Sequence, residues 1–342
     1  MFPKKIIQSL SSLSLQFEKI ISDLHTSEQT PWQLVLTQAI FANQWFTRES
    51  IIKSLKGIHF MLQVDEIEKW LNKYSQLNWN QNKRIGIIMA GNIPMVGFHD
   101  LLCVLVSGNI AVVKLSQQDT ILMKAVMDEL LMANPEWKDK IEIVERLNNI
   151  DKVIATGSNN SSGYFNYYFS KYPHIIRKNR NGIAVLNGIE SKDDLQKLGA
   201  DIFTYFGLGC RNVTKVYVPR DYIFDKLFEA LLPYADIANH NKFINNYDYH
   251  RAILLLNSDL FLTNDFLIIR EDKSFASPVS VLNFEYYDDV NDLAIELHMQ
   301  REKIQCIVSN EKIFNSIPFG TTQQPAIDDY ADGVDTMAFL LS

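Results

Sequence analysis

Cys210 stands in the run YFGLGCRNVTK (residues 205–215), with Gly207 and Gly209 before it and Arg211 after it. The thiolate is the nucleophilic form, and an ordinary thiol, with a pKa of about 8.5, is only slightly ionised at neutral pH. A nearby cation or oriented N–H groups raise that fraction, and glycines let the backbone approach a substrate closely. These residue types suit a covalent nucleophile on a sharp turn. They equally suit a small buried hydrophobe at the start of a strand. Asn92, in GNIPM, carries an amide that can donate to a developing oxyanion, a contact typically worth about 3 kcal/mol; beside Pro94 it also suits a plain turn. Lys114 ends the run IAVVK, where an ammonium can meet a phosphate or ribose, or reach into solvent from a strand end. GSNNSSG (157–163) offers backbone N–H groups and hydroxyls at the start of a helix, which favours an anion and also makes an ordinary helix cap.

The elements that must position these residues alternate. RIGIIMA is a short apolar strand, GNIPM a loop, GFHDLLCVLVS a helix and IAVVKLS a second strand. A helix over QQDTILMKAVMDELLMA follows, beginning near Asp119 or Thr120, then strands at IEIVE and KVIATGS and a helix over SGYFNYYFSKYP. Such alternation predicts a parallel sheet with crossovers, and ligands in these sheets gather at the carboxyl ends of the strands. Those ends carry AGNIPM, Lys114–Ser116 and ATGSNNSSG. From Asn181 a second module is expected: a strand at IAVLNG, a helix leading into the cysteine turn, a strand at VTKVYVP, and an amphipathic helix capped by Asp221. Further strands are expected at AILLLN, FLIIR, PVSVLNFE and KIQCIVS, with a helix over DVNDLAIELH. The first eighty residues read as helices, with Ile6, Leu10, Leu13, Phe17 and Ile20 recurring at three and four.

Composition narrows the function classes. The chain of 342 residues carries 33 basic and 40 acidic side chains, a net charge of −7, which argues against a nucleic-acid groove. Its three cysteines form no CxxC pair, and no HExxH occurs, so neither a disulfide framework nor a structural zinc is expected and a cytoplasmic location is the default. The N-terminus reads as an amphipathic helix rather than a signal peptide. The most apolar window, residues 101–115, is broken by Ser107-Gly108-Asn109 and is too short to span a bilayer. No GxGxxG is present, so the usual dinucleotide fingerprint is missing.

Three stretches, in order, resemble the aldehyde dehydrogenase superfamily: GNIPM with SGNIAVVKLS, then ATGSNNSS, then FGLGCRNVTKVYVP followed by a helix. FGLGCRNV, HIIRKNRNG and the late DYADG are similar to bacterial acyl-CoA reductases of the luminescence fatty-acid reductase type. The resemblance covers residues 84–342 and implies an aldehyde dehydrogenase-like α/β fold: two related three-layer domains for cofactor and catalysis, with a helical N-terminal region. The boundaries expected are 1–80 for the helical region, 81–180 for the nicotinamide cofactor domain, 181–325 for the catalytic domain and 326–342 for a C-terminal, oligomer-forming segment.

The resemblance also assigns roles. It makes Cys210 the nucleophile and Asn92, with the Cys210 backbone N–H, the oxyanion donor. It puts Lys114 and Ser116 on the adenosine ribose and Gly157 and Ser158 under the pyrophosphate. It matches REDKSFASPV loosely to the segment that contacts the nicotinamide ribose, through Glu271 and Phe275. The superfamily does not use GxGxxG, so that absence is no objection. Oxidising members carry a glutamate that activates water; the corresponding position falls near Arg177, and no carboxylate occurs from His174 to Leu186. An acyl-enzyme without that base is spared hydrolysis. The expectation is therefore NADPH-dependent reduction of a long-chain fatty acyl-CoA to the aldehyde through an acyl-cysteine, in a homo-oligomer with an acyl-protein synthetase as a candidate partner. NADPH itself rests on the resemblance, although Lys114 suits a 2′-phosphate. Arg177, Asn179 and Arg180 are candidates for holding CoA phosphates, or for surface ion pairs. Phe203, Tyr205 and Phe206 line an acyl channel or pack the core. The alternatives are an acyl-phosphate reductase sharing the same cysteine, and a non-catalytic acyl-carrying scaffold.

Overall fold

A computed structural model of the chain describes residues 2–26, 29–75, 79, 82–157 and 159–342. They fall into two compact units, residues 1–179 with 324–342, and residues 180–323.

The first unit opens with four helices, α1 (Phe2–Leu24), α2 (Pro31–Ala42), α3 (Arg48–Met61) and α4 (Val64–Asn72). Leu10, Leu13, Phe17 and Leu24 recur on one face of α1 and are all fully buried. Thr30 and Thr47 cap α2 and α3 through their hydroxyls. The α/β part follows: β1 (Arg84–Ile88), α5 (Phe98–Val106), β2 (Ile110–Lys114), α6 (Thr120–Ala133), β3 (Ile141–Ile143), β4 (Lys152–Thr156), α7 (Asn159–Phe169) and β5 (His174–Arg177). The five strands are all parallel in the order β3-β2-β1-β4-β5. The chain moves outward from β1 in one direction, then returns to its other side at β4, so the strand order reverses between β1 and β4. One hydrophobic cluster joins α1–α6, the inner face of β1 and β2 and the C-terminal segment. The opposite face packs Val112, Val153 and Ala155 against Phe165 and Phe169 of α7. The N-terminal helices thus share the core of the first sheet.

The second unit contains β6 (Asn181–Val185), α8 (Lys192–Phe203), β7 (Val213–Pro219), α9 (Phe224–Leu231), α10 (Asn241–Asn257), β8 (Leu262–Thr263), β9 (Ile268–Glu271), β10 (Val281–Tyr287), α11 (Val290–Met299), β11 (Ile304–Val308) and β12 (Ser316–Ile317). Its seven strands run β12-β11-β6-β7-β10-β9-β8, parallel except for β8 at the edge. A last helix, α12 (Thr336–Leu341), belongs to the first unit.

Two local expectations are corrected. AILLLN (252–257) is not a strand but the last turns of α10, whose inward positions Phe243, Tyr247 and Leu254 follow a helical period while Leu255 and Leu256 face solvent. An apolar run of this length does not by itself distinguish strand from helix. Asp221 does not cap α9: that helix begins three residues later, with Ile223 at the N-cap and no side-chain cap. Among the described residues, no helix is long and apolar enough to cross a membrane.

Candidate active site

Cys210 lies between α8 and β7 on a turn that the sequence builds at some cost. Beyond Phe203 the chain makes a tight 3₁₀ turn in which Tyr205 and Phe206 take left-handed φ of 54° and 59°, followed by Gly207 at 76°. Such a conformation costs a side-chain-bearing residue roughly 1–2 kcal/mol and persists only where the surroundings over-determine it. Asn212 supplies that constraint. It is wholly buried; its Oδ1 accepts from the Gly209 N–H at 2.8 Å. Its Nδ2 donates to the carbonyls of Asp201, Ile202 and Thr204 at 3.0, 3.3 and 2.8 Å. One amide therefore satisfies carbonyls that the end of α8 leaves without helical partners and joins them to the residue before the cysteine. From the other side, Gly182 of β6 donates its N–H to the Asn212 carbonyl at 3.1 Å, and a Cβ there would stand 2.6 Å from the Arg211 oxygen. The Cys306 thiol, on β11, reaches the same Arg211 oxygen at 3.6 Å. The turn is held on both flanks and Cys210 is its exposed residue, whereas Cys103 and Cys306 are buried.

The aromatic residues beside the turn divide. Phe203 and Tyr205 are buried, and Phe203 packs with Tyr234, Phe243 and Phe266. Phe206 is half-buried and its ring lies 4.2 Å from that of His240. Phe203 is thus a core residue rather than a channel wall.

In the first unit, the parallel pairing of β1 with β2 and β4 sets three carboxyl ends side by side. They carry the exposed Asn92, the exposed Lys114 with half-buried Ser116, and Gly157 ahead of α7. Ser158 lies outside the described residues. The first two segments are packed against each other: a Cβ on Gly91 would fall 2.5 Å from Ser116 Oγ. The Asn92 loop is also tied from beneath. Ser54 Oγ donates to the Pro94 carbonyl at 2.7 Å, and the Met95 N–H, in a left-handed residue, donates to Asp119 Oδ2 at 2.7 Å. Asp119 precedes α6 yet does not cap it with its side chain. Burial pushes this carboxyl up to about 8, against the opposite pull of the Met95 N–H.

Arg177 closes β5 and does not face solvent to await a phosphate. It is buried and paired with Asp100 at 2.6 Å, with Thr336 Oγ1 as a further acceptor at 3.1 Å. A carboxylate absent from the local sequence is thus brought in from α5 and consumed by the arginine. Arg180 reaches the Arg301 carbonyl at 3.5 Å. Tyr330 of DYADG is also internal: its hydroxyl accepts from Trp70 Nε1 at 2.6 Å and meets Tyr74 at 2.7 Å.

Glu271 is the exposed last residue of β9, and Phe275 is buried in the core of the second unit with Tyr217, Ile183 and Val185. Thr214, on the strand that begins after Cys210, donates to the Phe275 carbonyl at 2.7 Å. The structure therefore gathers Asn92, Lys114, Ser116 and Gly157 in the first unit and joins the Cys210 strand to the Glu271–Phe275 segment in the second. Asn212 was hidden in the sequence reading because its importance lies in carbonyls eight to eleven residues upstream. The one available signal was an amide side chain two residues from a glycine-flanked cysteine.

Solved structures similar to this chain share one fold. An indole-3-acetaldehyde dehydrogenase in complex with NAD+ has a TM-score of 0.65 at 12% identity, over 91% of this chain and 77% of that one. Aldehyde dehydrogenase 21 of Physcomitrella patens, in complex with succinate, has a TM-score of 0.66 at 11% identity, over 99% and 83%. A Mycobacterium tuberculosis aldehyde dehydrogenase complexed with NAD+ has a TM-score of 0.61 at 12% identity, over 91% and 74%. No curated protein matches the chain in sequence. The fold is that of the aldehyde dehydrogenases, and since residues 4–312 match the family described as acyl-CoA reductase (LuxC), the chain belongs to that family of aldehyde-forming oxidoreductases.

Proposed function

We propose that the chain reduces a long-chain fatty acyl-CoA to the fatty aldehyde with NADPH, through an acyl thioester on Cys210. The observation that carries this reading is the exposed Cys210 on a left-handed turn fixed by Asn212. The Cys210 sulfur forms a bond to the acyl carbon while the Cys210 N–H and the Asn92 amide donate to the oxyanion. The carbon–sulfur bond to coenzyme A then breaks, and the departing thiolate takes up a proton. A reduced nicotinamide, when bound, supplies the hydride to the acyl carbon. The bond to Cys210 breaks, the aldehyde leaves and the cysteine sulfur is reprotonated.

The donor set of the first unit fits an anionic dinucleotide. An exposed ammonium on Lys114, the Ser116 hydroxyl and the backbone at Gly157 accompany neighbouring strand ends in a sheet whose strand order reverses, and Ser158 stays a candidate from the sequence. Glu271 remains the candidate for the nicotinamide ribose, with Phe275 shaping that segment from the core side. Where oxidising enzymes keep a water-activating glutamate, this chain has Arg177 with Asp100 engaged in an ion pair. That favours reduction of the acyl-cysteine over its hydrolysis. A first unit for the cofactor, a second for the nucleophile, a homo-oligomer in the cytoplasm and an acyl-protein synthetase partner complete the reading.

The test is intact-protein mass spectrometry after incubation with a long-chain acyl-CoA and no reductant. An acyl adduct on the wild type, missing from Cys210→Ala and discharged as aldehyde by NADPH, is expected. No adduct at any chain length would exclude the acyl-CoA reading and favour an acyl phosphate or a non-catalytic role.

A further inference from the structure

We propose that Lys215 is a positioning residue for the reductive half-reaction: it fixes the 272–276 loop against the strand that begins just after Cys210. This rests on the function proposed above, and it concerns a buried charge to which that mechanism gives no task.

Lys215 is fully buried in the middle of β7. A lysine is rarely buried without a partner, because removing its charge from water costs more than a single contact returns. Here Nζ meets Glu285 Oε2 at 2.6 Å and the Lys273 carbonyl at 2.9 Å. It also lies 4.7 Å from the Tyr217 ring centroid and 5.3 Å from that of Phe275, within cation–π range. The Lys273 bond is one of a series. The Ser274 carbonyl accepts from Asn283 Nδ2 at 3.0 Å, the Phe275 carbonyl from Thr214 at 2.7 Å, and the Ala276 carbonyl from Asn283 again at 3.1 Å.

Residues 273–276 thus have every carbonyl in turn bonded by a side chain from β7 or β10. The two strands are in register there, with Asn283 opposite Lys215. A loop with no ladder of its own is held by donors on the two strands beneath it. Apolar residues at 214, 215 and 283 would fill the same core and remove these bonds from the carbonyls of 273, 274 and 275, leaving Ala276 only its bond from Ser274 Oγ at 2.9 Å. The polar set is therefore explained by the position of the loop. The loop follows Glu271 directly, and Lys215 is five residues beyond Cys210 in sequence. The clamp sets the distance between the two.

The experiment separates the two half-reactions. Lys215→Met keeps the length and apolar stem; Thr214→Val removes the Phe275 bond without touching the charge. In each, acylation of Cys210 by a long-chain acyl-CoA is expected to stay within about twofold of wild type. Discharge of the preformed adduct by NADPH is expected to slow about 10- to 100-fold, the usual effect of small misplacement. NADPH titration followed by its own fluorescence should show weaker binding, and Lys215→Arg should recover part of both losses. If acylation and discharge fall together, or neither changes, the positioning role is overturned. If Lys215→Met does not fold, Thr214→Val decides. A wild type that takes up no acyl group, or cannot discharge it, overturns the functional reading with it. A competent wild type beside unchanged variants overturns the role of Lys215 alone.

Discussion

Asn212 spends all its bonding capacity on backbone. Replacing it with alanine takes that partner from the buried Gly209 N–H, from the buried carbonyls of Asp201 and Ile202, and from the part-buried carbonyl of Thr204. Each unsatisfied group costs on the order of 1–3 kcal/mol before relaxation. Asn212→Ala should therefore lower unfolding free energy by about 3 kcal/mol and slow acylation of Cys210 more than it weakens NADPH binding. Asn212→Asp keeps the acceptor for Gly209 but turns an oxygen toward three carbonyls, so it should be no better than alanine. Urea unfolding and timed mass spectra of the acyl adduct check both; an alanine variant within about 0.5 kcal/mol of wild type would show that the amide does not hold the turn. Cys210 was legible in the sequence because its glycines are adjacent to it. Asn212 and Lys215 were not, because an amide or ammonium acquires its role only from carbonyls that folding brings to it. Arg177 misled for the same reason: its partner Asp100 is 77 residues away.

At the scale of elements, the alternation of short apolar strands with helices was readable from residue 84 onward, since strands buried on both faces appear as continuous apolar runs. AILLLN shows where that signal fails. Its leucines read as a strand, but α10 begins eleven residues earlier, where polar residues mask the period. The close packing between β6 and the cysteine turn was equally invisible, and it is the more consequential feature. Gly182 has two carbonyl oxygens, of Arg211 and Asn212, within 2.7 Å of where a Cβ would be. Those atoms are backbone of the turn itself and cannot swing aside as a side chain would. Gly182→Ala must push residues 211–212 away from β6. The expected outcome is a loss of about 2 kcal/mol in stability, typical of overpacking, together with a slower reaction of Cys210 toward acyl-CoA. Gly163→Ala, exposed in the middle of α7 where a Cβ would meet nothing within 4 Å, is the control: it should leave the reaction of Cys210 unchanged and, through helix propensity, raise stability by up to about 1 kcal/mol. Equal effects of the two substitutions would refute the backbone clash as the cause.

For the whole molecule, the carboxyl of Asp119 ties the stability of the first unit to pH. Asp119 is 2% exposed, its Oδ1 has no hydrogen-bond partner among the described residues, and its Oδ2 holds the Met95 N–H of the Asn92 loop. The residues it braces rest on the cluster that runs from Ile6 to Leu341, so strain at this point is shared by the unit. Burial lifts its pKa to about 8, whereas an unfolded aspartate titrates near 4. Below about pH 4 both states hold the proton and the burial carries no penalty. Between about 4 and 8 only the native state holds it, so stability falls as pH rises; above 8 both have lost it and the fall stops. Asp119→Asn is neutral throughout and keeps an oxygen for Met95. Its stability relative to wild type should therefore grow from pH 5 to pH 8, by no more than ~1.4 kcal/mol per unit, and level off above. All five tryptophans (Trp32, Trp45, Trp70, Trp79 and Trp137) belong to the first unit, so their fluorescence during urea unfolding reports this unit and not the other. A difference that stays constant from pH 5 to 9 would mean that Asp119 is already ionised in the folded protein at neutral pH, and that the loop bearing Asn92 is held by a charge rather than by a neutral acid.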